Sequence, residues 1–119
     1  MPSISVELTQ TLIRLNTISP PGNEEAAAQV LAQYLSKAGF AIELPPWRPG
    51  RPNLIARAGD PALGTPLAFT GHLDTVPLGQ AAWSVDPHGG EIKDGKIWGR
   101  GTSDMKSGVA AFVVAASEL

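Results

Sequence analysis

The chain has 119 residues, 43% hydrophobic and 17% charged, with a formal net charge of -2 and no cysteine. That length supplies one ordinary globular domain with a core, yet it is short for a hydrolase carrying a separate substrate domain. The charge balance excludes the basic surface that nucleic acid or an anionic membrane requires, and without thiols any zinc must be held by nitrogen and oxygen donors.

The opening, Met1 to Glu7, lacks a basic n-region and an apolar h-region. No stretch approaches the ~18 apolar residues of a membrane span, so a cytoplasmic location is expected. Leu8, Leu12 and Leu15 recur at helical spacing and predict a first helix over residues 5–16, broken by Thr17-Ile18-Ser19-Pro20-Pro21-Gly22. Asn23 is the expected N-cap of a second helix, with Glu24 and Glu25 in its first turn. Val30, Leu31, Tyr34, Leu35 and Ala38 form its apolar face, and Gly39 stops it.

Phe40 to Leu44, Asn53 to Ala58 and Leu67 to Thr70 read as short strands bounded by Pro and Gly. Pro45 to Pro52 between the first two reads as a stiff loop. Asp94-Gly95, flanked by Ile92-Lys93 and Lys96-Ile97, predicts a type I′ hairpin in which Ile92 faces Ile97. Ser107 to Leu119 carries Val109, Phe112, Val113 and Ala116 at i, i+3, i+4, i+7 among alanines, which predicts a buried helix, apolar nearly all round. It reaches Leu119 with no stop signal, so a truncated sequence is expected. Helices alternating with strands imply an α/β fold, its sheet covered on both faces.

The chemistry lies in two stretches, Gly71-His72-Leu73-Asp74-Thr75-Val76-Pro77 and Gly99-Arg100-Gly101-Thr102-Ser103-Asp104. His72 follows an expected strand, and in open α/β sheets ligands gather beyond the carboxyl ends of strands. Extended residues two apart project to one side, so Asp74 can accept the non-liganding N–H of His72 and fix its tautomer. Asp104, on a glycine-rich turn, has two oxygens and can bind one metal ion with each, holding two ions ~3.5–4 Å apart. Each piece also has a plain reading: His72 hydrogen-bonded in a turn, Asp104 capping the last helix. Gly99-x-Gly101 falls short of a dinucleotide fingerprint, because Asp104 replaces its third glycine and repels pyrophosphate.

Taken together, residues 71–77 and 99–108 resemble the two N-terminal signatures of the acetylornithine deacetylase, succinyl-diaminopimelate desuccinylase and aminoacylase family of co-catalytic zinc metallopeptidases and deacylases. Trp83, Asp86-Pro87 and Gly90 to Trp98 fit the connecting segment, and Pro20-Pro21-Gly22-Asn23-Glu24 its early helix boundary. The resemblance implies the N-terminal part of a three-layer αβα sandwich of the zinc-peptidase type with a mixed sheet. The rest of the catalytic domain and the dimerisation domain would lie outside residues 1–119, and the full-length protein would be a homodimer.

It also implies that His72 ligates one zinc, that Asp104 bridges two, and that Asp74 orients His72 and supports catalysis. The implied reaction is hydrolysis of the amide bond of N-acyl amino acids or small peptides by a metal-bridging water. The glutamate base and the remaining ligands fall beyond the equivalent of Leu119, and Co2+ or Mn2+ could replace Zn2+. His88 departs from the family pattern and reads as a solvated loop residue. Arg100, Thr102 and Ser103 are expected to shape the turn around Asp104, and Trp83 and Trp98 to pack with their N–H groups bonded. The chain alone is expected to bind zinc weakly and to hydrolyse nothing. The alternative is a non-enzymatic binding or interaction module that keeps the fold with an incomplete site.

Overall fold

A computed structural model describes residues 2–119. Helix α1 spans Ile4–Ile13 and starts where the Ser3 hydroxyl accepts the Val6 N–H at 3.4 Å. It ends three residues before the expected boundary because the next residues are drawn into extended pairing. The Thr75 N–H donates to Thr17 O at 3.0 Å and the Ser19 N–H to Thr75 O at 2.8 Å, forming a parallel bridge between Ile18 and Thr75. Helix α2, Glu25–Lys37, ends as its sequence predicts. Gly39 takes φ 94°, the Phe40 N–H bonds Leu35 O and the Gly39 N–H bonds Ser36 O, both at 3.0 Å, which is a Schellman closure. Its start differs from expectation. Glu24, not Asn23, occupies the N-cap and makes no side-chain cap bond, while the Glu25 N–H is satisfied by Gly50 O at 3.2 Å.

Strands β1 (Ala41–Glu43) and β4 (Ile55–Arg57) pair antiparallel, Ile42 opposite Ala56. The stretch read as a stiff loop is instead a hairpin, β2 (Pro46–Arg48) with β3 (Arg51–Pro52). Pro49-Gly50 makes its turn with Gly50 at φ 74°, and the prolines without a donor stand at the strand ends, where no ladder bond is lost. The third pair, β5 (Glu91–Lys93) and β6 (Lys96–Trp98), is the expected hairpin. Asp94 and Gly95 have φ 54° and 72°, as a type I′ turn demands, and Ile92 opposes Ile97.

Helix α3, Ser107–Ser117, packs Val109, Ala110 and Val113 against Leu8 and Leu12 of α1 and Ala27, Leu31 and Leu35 of α2, forming one contiguous core. It is buried on one face only. Ala111 and Ala115 face solvent, which small side chains tolerate at little cost.

Helices and strands thus combine in an α/β arrangement, its sheets small and two-stranded among the described residues. Leu67 to Thr70 belongs to no ladder there. A strand exists only with a neighbour to bond, whatever its own sequence favours. This segment instead lies over α3, with the Phe69 ring stacked on Phe112 at 5.3 Å. No described helix is long and apolar enough to cross a membrane.

Candidate metal centre

Two irregular segments carry the polar groups of interest, and contacts with α1, with the loop that follows it and with each other fix both. In the first, the Thr17 hydroxyl donates to Leu73 O at 2.6 Å, and the Thr17–Thr75–Ser19 bridge clamps the backbone on either side of Asp74. In the second, the Thr102 hydroxyl donates to Gly99 O at 2.9 Å, the Arg100 N–H to Pro87 O at 2.8 Å and the Lys106 N–H to Gly101 O at 2.8 Å. The resulting turn, Thr102–Lys106, holds Asp104 at non-helical angles, φ -128° and ψ 91°. Asp104 therefore does not cap α3. Lys106 stands at that position without a side-chain cap bond, which leaves the Asp104 carboxylate outside the helix.

The segments meet where Gly101, at φ 89°, passes under Thr75. A Cβ there would lie 2.7 Å from Thr75 Cγ2. Gly101→Ala is therefore expected to cost about 2–4 kcal/mol, combining a left-handed backbone with a clash against a buried side chain. Urea unfolding of the variant measures this, and a loss below about 1 kcal/mol would contradict the tight fit.

This scaffold brings His72, Asp74 and Asp104 together. The His72 ring stands between the two carboxylates, Nδ1 3.0 Å from both Asp74 Oδ1 and Asp74 O, and Nε2 2.8 Å from Asp104 Oδ1. Partial desolvation lowers the His72 pKa, but hydrogen bonds and charge from Asp74 and Asp104 outweigh it, leaving the imidazole above its ordinary 6.5. Asp104 is the most open of the three, its side chain 80% exposed against 47% for His72. His72, Asp74 and Asp104, with Thr75 and Val76, line a cleft of ≈ 230 Å³.

The donor chemistry suits a hard or borderline cation, with one imidazole nitrogen and one carboxylate oxygen converging from opposite segments. A tetrahedral ion would hold two such atoms about 3.3 Å apart, so a half-ångström opening of the His72–Asp104 pair admits one. Asp74 is committed to Nδ1 and leaves Nε2 as the liganding nitrogen. Among the described residues no group of three or more His, Cys, Asp or Glu stands ready to hold an ion.

The surrounding residues shape the turn. Arg100 donates to Pro77 O at 3.2 Å and its guanidinium lies 5.2 Å from the Trp83 ring centroid. Trp83 and Trp98 bond Leu78 O and Lys93 O through their indole N–H groups, at 3.2 and 3.0 Å. His88, read as solvated, is half-buried, and its Nδ1 is shielded without a partner. Two contributors escaped the sequence reading. Lys106 is 1% exposed and donates to Leu12 O at 2.9 Å and Leu15 O at 2.8 Å, supplying the cation that the last turn of α1 lacks. Arg51, from β3, reaches Glu24 and Asp74. A lysine opening an otherwise apolar helix was the visible signal for the first; the second had none.

Residues 68–119 match the profile of Peptidase family M20/M25/M40. The chain is 49% identical over 117 residues to a succinyl-diaminopimelate desuccinylase of Cereibacter sphaeroides, covering 98% of this chain and 30% of that protein. It is 47% identical over 114 residues to succinyl-diaminopimelate desuccinylase 2 of a Ruegeria species, covering 95% of this chain and 28% of the relative. A succinyl-diaminopimelate desuccinylase of Methylobacterium radiotolerans is 44% identical over 118 residues, 96% of this chain and 29% of its own length. The chain thus spans about 30% of the length of the curated relatives it matches.

Proposed function

The chain belongs to peptidase family M20/M25/M40, and on that premise we propose that it carries the His72, Asp74 and Asp104 share of a di-zinc amidohydrolase acting on N-acyl amino acids. The observation that supports this most directly is the His72 Nε2 to Asp104 Oδ1 approach of 2.8 Å, with Asp74 on the opposite ring nitrogen. That pattern suits an imidazole prepared as a ligand. Nδ1–H donates to Asp74, so Nε2 is the position where a metal ion would replace the proton now shared with Asp104, and the Asp74 carboxylate makes that nitrogen a stronger base. Asp104, with its second oxygen unengaged among the described hydrogen bonds, is the candidate to bridge two ions. Zinc, when bound, supplies a water acidic near pH ~7 and positive charge against the developing oxyanion.

His72 and Asp104 would hold the ions at the floor of an open cleft, and Asp74 would keep the imidazole from rotating. Two ions held this way would need further protein ligands, and His72 and Asp104 are the ones this chain would supply. The remaining ligands and the general base would come from residues outside these 119. A cytoplasmic homodimer accompanies this reading, with Co2+ or Mn2+ as possible substitutes in N/O sites.

The relatives' names make an N-succinyl diamino acid the first substrate to test. A protein of the relatives' length that carries this sequence is expected to release succinate from it, and to lose that activity in a chelator and regain it with Zn2+. The 119-residue chain alone is expected to show weak Zn2+ uptake and no turnover. Chelator-insensitive hydrolysis would overturn the metal assignment, whereas no hydrolysis of succinyl, acetyl or peptide substrates would overturn the enzyme assignment and favour a binding module.

A further inference from the structure

Glu24, Arg51 and Asp74 come from three separate segments and meet at the side of His72 away from Asp104. The Arg51 guanidinium donates through Nε to both Glu24 oxygens, at 3.0 and 3.2 Å, and through Nη2 to Oε1 at 2.8 Å. Glu24 is 7% exposed. The Trp47 ring lies 5.1 Å from Arg51 Cζ. On another side is Gly22, at φ 78°, where a Cβ would come within 2.3 Å of Arg51 Cζ, so the absence of a side chain opens the slot the guanidinium fills. Arg51 Nη2 also stands 3.7 Å from Asp74 Oδ2, an ion-pair contact longer than a hydrogen bond. The two Asp74 oxygens therefore have different partners: Oδ1 accepts from His72 Nδ1–H, and Oδ2 faces Arg51.

A flexible surface cation at 3.7 Å would contribute little, because ordering it offsets the attraction. Arg51 differs because the Glu24 fork, the Trp47 ring and the Gly22 slot already order it, so its field on Asp74 is fixed. We propose that Arg51 is a positioning residue for the metal centre: anchored by Glu24, it holds the Asp74 carboxylate in the orientation that presents Oδ1 to His72 and keeps Nε2 aimed toward Asp104. The proposal rests on reading His72 and Asp104 as metal donors.

The test is a double-mutant cycle on the 119-residue chain with Zn2+ as the probe. Calorimetric affinities are compared for wild type, Arg51→Met, Asp74→Asn and the double variant, with Arg51→Lys as the conservative control. The imidazole 15N signals of His72 are recorded in the metal-free proteins at one pH high enough that the ring is neutral in all of them. Arg51→Met is expected to weaken Zn2+ binding about tenfold and to spread His72 over both tautomers. Arg51→Lys should recover part of the loss. With Asp74 already Asn, removing Arg51 should cost less than about twofold, because its effect runs through that carboxylate. An equal loss in both backgrounds, or unchanged affinity with an unchanged His72 signal, overturns the proposal. If wild type takes up no Zn2+, the metal-centre reading fails, and the His72 signals alone decide the role of Arg51. If Arg51→Met does not fold, Arg51→Lys carries the same cycle.

Discussion

Replacing Asp104 by Asn is expected to lower the Zn2+ affinity of the chain by about 100-fold or more while leaving its fold intact. Changes to groups that merely support a ligand cost about 10–100-fold, and removing the charge of a donor that would serve two ions should exceed that range. The fold should not register the change. The Asp104 side chain is 80% exposed, and the turn that holds it is fixed by the Thr102 hydroxyl and the Lys106 N–H rather than by the carboxylate. Exposed substitutions of this kind stay within about 0.5 kcal/mol of wild type. Competition with a chromogenic chelator measures the affinity, and urea unfolding measures the stability. Unchanged Zn2+ affinity would remove Asp104 from the site, and with it the amidohydrolase reading.

Lys106→Met is expected to act the other way, on the fold and with a characteristic pH dependence. At neutral pH the variant should lose about 2 kcal/mol. Two hydrogen bonds from the ammonium to the end of α1 disappear and the Leu15 carbonyl loses its donor, an effect partly offset because a buried charge is also removed. Burial pushes the Lys106 pKa down to about 8, against an ordinary 10.5. Below pH 8 both folded and unfolded chains hold the proton, and stability is flat with respect to this group. Between about 8 and 10.5 the unfolded chain binds more protons than the folded one, so wild-type stability rises with pH, by about 3 kcal/mol at most. The methionine variant lacks that rise. The stability gap between the two proteins should therefore widen from pH 8 to 10.5, read from paired urea melts, and a gap that narrows would show that the ammonium is stabilised where it sits.

Sequence alone determined the local features. The apolar spacing of Leu8 and Leu12, the Gly39 stop of α2 and the Asp94-Gly95 turn each follow from preferences of neighbouring residues, so they could be read before any contact was known. The pairing of His72 with Asp74 was legible for the same reason, since residues two apart on an extended chain share a side. The approach of Asp104 was foreseen only as a consequence of the family resemblance, because nothing local relates positions 72 and 104.

Tertiary structure decided everything that depends on a distant partner. α1 stops at Ile13 because Thr75 captures Thr17 and Ser19. Asn23 yields the N-cap to Glu24, which Arg51 engages from 27 residues away. Leu67 to Thr70 has the composition of a strand, yet it joins no ladder among the described residues, since hydrogen-bonded neighbours are not encoded within a strand itself. The buried Lys106 and the Glu24–Arg51–Asp74 chain were invisible for the same physical reason: a charge chooses its partner by proximity in space. Local preference is written in consecutive residues, whereas the electrostatics of a site come into being only once the chain has closed around it.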